Sequence, residues 1–176
     1  MNDTRRAAIE VRIDDLGFYE GEAIIRPVNS MLGATTPLMR RLEQAAGASY
    51  AEAARLSAPL PVGAAVVTGA GDLSVELLIH GVVSSDEEPV SRASVRKALA
   101  SALHRADAFR IREVAVAPFG LGAGNLDIED SADVMIDVIG EHMRRAAHPV
   151  AVLLVAETPL EEQVLRLRLE RLERLA

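Results

Sequence analysis

Three glycines alternate at positions 120, 122 and 124 in the stretch PFGLGAGNLD (118–127), directly after an apolar run and before a helical pattern. Glycine carries no Cβ, so successive backbone N–H groups can approach one anion closely, and the positive end of the following helix favours negative charge. That chemistry is phosphate binding. A tight strand-to-helix turn also demands glycine, and the triplet alone divides about evenly between the two readings.

A second stretch, EAIIRPVNSMLGATTPLMRRL (22–42), has the outline of a ligand-site frame: a buried strand, a short polar loop and an amphipathic helix. Ligands in α/β proteins settle beyond the carboxyl ends of strands. Arg26, Thr35, Thr36 and Pro37 are poor material for cradling an anion with bare backbone, since proline has no N–H. The histidines at 80, 104, 142 and 148 show no metal-ligand spacing, and His80, after an apolar strand, is expected to be a satisfied core histidine. Asp127, Glu129, Asp130 and Asp133 crowd one helix start, where the helix dipole explains them without a metal. Asp86-Glu87-Glu88 reads as a solvated loop leading into a helix. Neither a metal nor a cofactor is expected.

The elements that must position these residues follow from periodicity. Strands are expected at 8–13, 22–28, 64–70, 75–83, 112–120 and 150–157. Helices are expected at 36–47, 49–57, 89–107, 127–148 and from Pro159 to the end. Strands alternating with helices imply a sandwich with helices on both faces of a sheet. Val150 to Val155 is too continuously apolar for a strand with one wet face and belongs in the sheet interior. The last helix carries two adjacent apolar rows, Leu160-Val164-Leu167 and Leu165-Leu169-Leu172. Packing on the fold is favoured over a coiled-coil partner, because little more than two heptads is short for a coiled coil.

With 176 residues, 49% of them apolar and 26% charged, the chain reads as one globular domain over 1–176. The absence of cysteine excludes disulfides and thiolate metal sites. A net charge of −7 argues against general nucleic-acid or anionic-membrane binding. No segment has the apolar length of a membrane span, and no hydrophobic signal region follows Met1 to Arg6, so a cytoplasmic location is expected.

Four segments together resemble the macro domain, the family that binds ADP-ribose and in some branches hydrolyses ADP-ribosyl or O-acetyl-ADP-ribose esters. They are IDDLGFYEGEAIIRPVNSML, the helix ending AAG at Gly47, PVGAAVVTGAGDLSVELLIHGVV, and VAVAPFGLGAGNLD, which cover nearly the whole chain. The resemblance implies a three-layer α/β/α sandwich with a mixed, mostly parallel sheet. It puts Asp15 where the family accepts from the adenine amino group, with Leu16 as the adjoining backbone contact, although Asp15 reads almost as well as a turn residue. Gly120, Leu121, Gly122, Ala123 and Gly124 match the loop around the diphosphate. Asn29 matches the second asparagine of the family's Asn-Ala-Ala-Asn motif, near the distal ribose. Arg26, Ser30 and Asn125 complete the candidate ligand-binding set.

The departures from the family pattern fall together. Arg26 replaces the first asparagine of that motif, Thr35-Thr36-Pro37 replaces a glycine-rich loop, and Met39 stands where a hydrolase branch has a water-activating aspartate. Val155-Ala156-Glu157 lacks the aromatic residue that often stacks on adenine. Arg26 either sits at the pocket mouth, ready for an extra phosphate or carboxylate, or fills the distal site and pairs with an internal acid. The diphosphate half looks intact and the catalytic half rebuilt, so no catalytic residue is assigned. A binding module for ADP-ribose or a related adenine nucleotide ranks first, ahead of a pseudo-domain acting through an interaction or homo-oligomer surface. A hydrolase ranks third, because losing the groups that orient the scissile bond damages catalysis more than binding.

Overall fold

The computed structural model describes residues 8–55 and 59–175. In chain order the elements are β1 (Ala8–Ile13), a 3-10 turn (Leu16–Phe18), β2 (Ala23–Asn29), α1 (Pro37–Ala46), α2 (Ala48–Arg55), β3 (Ala65–Gly69), β4 (Leu77–Ser84), α3 (Arg92–Ala108), β5 (Glu113–Val116), α4 (Ile128–Arg145), β6 (Ala151–Ala156) and α5 (Pro159–Leu175). The strands form one sheet in the order β1-β6-β5-β2-β4-β3. Every neighbouring pair is parallel except β3 with β4, so the sheet is mixed and mostly parallel as expected.

Strand alternation sends successive side chains to opposite faces, and the two cores follow from it. Ile25, Ile79, Val114, Val116, Val152 and Leu154 pack beneath α3, α4 and α5, among Val95, Leu99, Leu103 and Ile139. Ile24, Leu78, Val82, Ala115, Leu153 and Val155 face α1 and α2, against Leu38, Met39, Leu42 and Tyr50. Helices on both faces bury the middle strands on both sides, which is why β6 reads as a continuous apolar run and β2 begins as one. β6 lies inside the sheet, between β1 and β5.

Several boundaries differ from the periodic pattern. The strand expected over 112–120 ends at Val116: Ala117 N–H still donates to Ile25 O at 2.9 Å, Pro118 has no N–H to carry the ladder on, and Gly120 (φ +83°) then turns the chain. Ala117, Pro118 and Phe119, all buried, carry the apolar run beyond the strand, and their burial kept the pattern strand-like. The helix expected at 89–107 starts at Arg92, capped by Ser91, whose side chain accepts from the Ser94 N–H while Ser94 reciprocates. The end of the helix expected at 49–57 lies outside the described residues.

α5 packs through the Leu165-Leu169-Leu172 row together with Val164 of the other row. Val164 and Leu165 are buried, and Leu172 closes on Gly140 of α4, where even a Cβ would come within 2.7 Å. Leu160 and Leu167 face outward. α5 lies against β1 and β6, and β1 is an edge strand of the sheet whose Arg12 pairs with Glu10 and Asp14. Among the described residues no helix is long and apolar enough to cross a membrane.

Candidate functional site

Because β1, β6, β5 and β2 run parallel, their carboxyl ends share one edge of the sheet, in that spatial order. The segments that follow them therefore line up: the turn after β1 with Asp15, Glu157 after β6, the glycine loop after β5, and the loop after β2 with Asn29 and Ser30. Residues more than a hundred positions apart become neighbours along one crest. This is where an α/β sheet places ligands.

At the first position, Asp15 caps the 3-10 turn, its Oδ1 accepting from the Gly17 N–H at 2.8 Å. Leu16 is buried beneath it. Asp15 is thus a turn residue by its bonding, and it also lines a cavity of about 370 Å³ shared with Phe18, Leu38, Leu42 and Glu157. The two sequence readings of Asp15 are compatible. Across this cavity the Arg41 guanidinium donates to the Glu157 carboxylate at 2.7 Å, tying α1 to the end of β6. Phe18 and Arg41 escaped the sequence reading. The three-residue spacing from Asp15 to Phe18, which brings side chains to one side of a 3-10 turn, is the signal that could have found Phe18.

The glycine loop is held by its own backbone. Leu126 N–H donates to Gly120 O at 3.0 Å and Asn125 N–H to Gly122 O at 3.1 Å. The Asn125 side chain reaches back to Leu121 O at 3.4 Å, so this candidate braces the loop. Gly122 (φ +133°) and Gly124 (φ +77°) hold backbone conformations that L side chains rarely adopt. A Cβ on Gly122 would meet the Asn125 amide at 2.9 Å and Thr35 O at 3.5 Å, so this loop and the one after β2 nearly touch. Gly122, Ala123 and Gly124 are exposed, and among the described residues their N–H groups donate to no backbone carbonyl. Asp127 caps α4 immediately afterwards. Backbone N–H groups without a backbone partner, placed before a helix start, are chemically able to receive an anion.

The loop after β2 is built differently. Asn29 Oδ1 accepts from the N–H groups of Met31 and Gly33, both at 2.9 Å, and Ser30 is tied through its backbone to Ser84 and Leu60. Thr36 caps α1 with Pro37 at its first turn. Met39 is a core side chain, packed with Leu16 and Leu42.

Arg26 lies below this loop, 1% exposed, rather than at a pocket mouth. Its Nη1 donates to Glu43 at 2.8 Å, Nη2 to Leu32 O and Tyr50 Oη, both at 3.2 Å, and Nε to His80 Nδ1 at 2.9 Å. Of the two sequence readings, pairing with an internal acid is the one the geometry adopts. His80 stands opposite Arg26 in the β2–β4 register, on the same face of the sheet. Because Arg26 can only donate, His80 Nδ1 must accept, which leaves the neutral ring's proton on Nε2. That nitrogen lies 2.8 Å from Thr68 Oγ1, which donates onward to Gly69 O at 2.9 Å. Burial, reinforced by the Arg26 charge, holds His80 well below its ordinary value near 6.5. Burial likewise raises the Tyr50 phenol. Among the described residues, no group of three or more carboxylates and histidines is placed to hold a metal.

Comparison with known proteins places this geometry in context. The family model described as "Macro domain" matches residues 25–135. An uncharacterized protein of Aquifex aeolicus is 32% identical over 155 residues, spanning 85% of this chain and 92% of that one. An uncharacterized protein of Mycobacterium tuberculosis is 28% identical over 134 residues, 76% of this chain, and the match spans only 37% of its own length. The Oceanobacillus iheyensis macrodomain solved with ADP has the same fold, with a TM-score of 0.86 at 16% identity, covering 100% of this chain and 97% of that one.

The buried network yields two expectations. Arg26→Met strands Glu43 without its counter-charge and His80 without its donor, and should destabilise the protein by about 3 kcal/mol in denaturant unfolding. The double variant Arg26→Met/Glu43→Leu should recover part of that loss. For His80, the unfolded imidazole binds a proton at a higher pH than the folded one, so its contribution falls as pH drops below its ordinary value and is constant above it. The Tm should therefore decline between about pH 6.5 and pH 5. The decline should be shallower in His80→Asn, whose side-chain oxygen replaces the acceptor facing Arg26, when both proteins are followed by thermal unfolding.

Proposed function

The chain belongs to the macro domain family, and from that premise we propose that it is a nucleotide-binding module that holds ADP-ribose or a related adenine nucleotide by its base and diphosphate. One observation carries the reading: the exposed cradle Gly122 to Gly124 stands on the same strand edge as the cavity lined by Asp15. In this reading the diphosphate meets the loop from Gly120 to Asn125, the adenine amino group faces Asp15, and Leu16 adds backbone. Support by analogy comes from the Oceanobacillus iheyensis macrodomain, solved with ADP and, as a variant, with ADPR.

The half beside β2 favours binding over turnover. Asn29 Oδ1 is engaged by its own loop, Arg26 is enclosed, and Met39 is a core residue that cannot activate water. Without groups to orient the distal ribose and a nucleophile, binding energy has no route into the transition state. Arg26, Asn29 and Ser30 then act as supports of the site rather than as ligand contacts. The reading is of one cytoplasmic domain, and the net charge of −7 supports its avoiding nucleic acids and anionic membranes in general.

Calorimetric titration tests the proposal. ADP and ADP-ribose should bind within a factor of about five of each other, less than the worth of one ordinary hydrogen bond, since the distal ribose gains little. AMP should bind more weakly than either. Gly122→Glu, which sets bulk and like charge against the phosphates, should abolish binding while circular dichroism reports an intact fold. Retained affinity in that variant would put the ligand elsewhere, and no binding of any adenine nucleotide by the unmodified protein would turn the function towards an interaction surface. Incubation with mono-ADP-ribosylated protein or O-acetyl-ADP-ribose should give no turnover. Rates like those of active macro domains would require a base other than the residue at 39.

A further inference from the structure

The protein contains three phenylalanines and no tryptophan. Phe119 is fully buried, whereas the Phe18 side chain is 78% exposed and forfeits the burial that ordinarily rewards an aromatic ring. Its position is set by the turn it ends. The Phe18 N–H donates to Asp15 O at 3.1 Å, closing a 3-10 turn in which side chains three residues apart fall on the same side. Leu16 therefore points into the core, while Asp15 and Phe18 both face the 370 Å³ cavity. Leu38 and Leu42 supply apolar lining in that cavity. A free aromatic face, an apolar lining and a carboxylate acceptor suit a flat heterocycle that carries an exocyclic N–H donor.

We propose that Phe18 is the base-stacking residue of this site, with Asp15, one turn back, accepting from the edge of the same base. The assignment rests on the nucleotide-binding reading given above and supplies its base contact. Stacking is tolerant of base identity, because every base has a π-face, so Phe18 provides affinity and Asp15 the preference for an amino-bearing purine.

The absence of tryptophan makes the test direct. Phe18→Trp introduces a single indole whose emission should shift on titration with ADP, with ADP affinity retained. Phe18→Ala should raise the Kd for ADP by about tenfold or more, the usual cost of losing one base–aromatic stack. The same variant should leave pyrophosphate binding unchanged, followed by amide NMR shifts of Gly122 and Gly124. Unaltered ADP affinity in Phe18→Ala, or an indole indifferent to bound ADP, overturns the stacking role alone. Equal losses for ADP and pyrophosphate in Phe18→Ala would make Phe18 a support of the loop and also overturn it. If the unmodified protein binds pyrophosphate but not ADP, the base site itself fails and the nucleotide reading fails with it.

Discussion

A guanidinium placed in a protein interior must have acceptors, or the fold does not form. Arg26 imposes that demand at the centre of the molecule, and the surrounding structure is arranged to meet it. Glu43 on α1 supplies the counter-charge, Tyr50 on α2 a hydroxyl, His80 on β4 an imidazole nitrogen, and Leu32 a carbonyl from the loop above. Two helices, two strands and one loop are thus referred to a single side chain. Leu32 is itself in the left-handed region (φ +59°), a conformation that costs energy for a residue with a Cβ, and its buried side chain and bonded carbonyl hold it there. The loop after β2 is consequently shaped from beneath, by the core.

The same network divides the site's labour. Over β1, β6 and β5, exposed backbone and a cavity face outward, where we propose that base and diphosphate bind. Over β2 the polar groups are turned inward and satisfied by one another. Groups already saturated with internal hydrogen bonds have little left to offer a reacting centre, which is the physical ground for proposing recognition here in place of turnover.

Much of this was legible in the sequence wherever the determinant is local. Alternation marked β1, the apolar run Ala23 to Ile25 marked β2, an unbroken one marked β6, and helical spacing of Val95, Leu99 and Leu103 marked α3. The glycine cradle was readable because a missing Cβ acts within its own few residues. The partners of Arg26 were not readable, since they lie 17, 24 and 54 positions away and depend on the β2–β4 register and on how α1 and α2 settle against the sheet. Phe18 was hidden for a different reason. A turn of three residues is too short to show a period, and an isolated phenylalanine in a sequence is first taken for core.

The strand at the sheet's margin bears on life in a crowded solution. Among the described residues, β1 leaves one row of its peptide groups without a neighbouring strand, an invitation to any extended peptide seeking to add itself to the sheet. On its exposed face Glu10, Arg12 and Asp14 present alternating charge, bound to one another at 3.3 and 2.8 Å. A newcomer docking along β1 would have to lay its own side chains beside these ions and dehydrate them, with no compensating apolar contact on that face. The ion pairs contribute little to folding, being exposed and screened. Their consequence is colloidal: they keep a sheet that must end somewhere from being continued by a stranger.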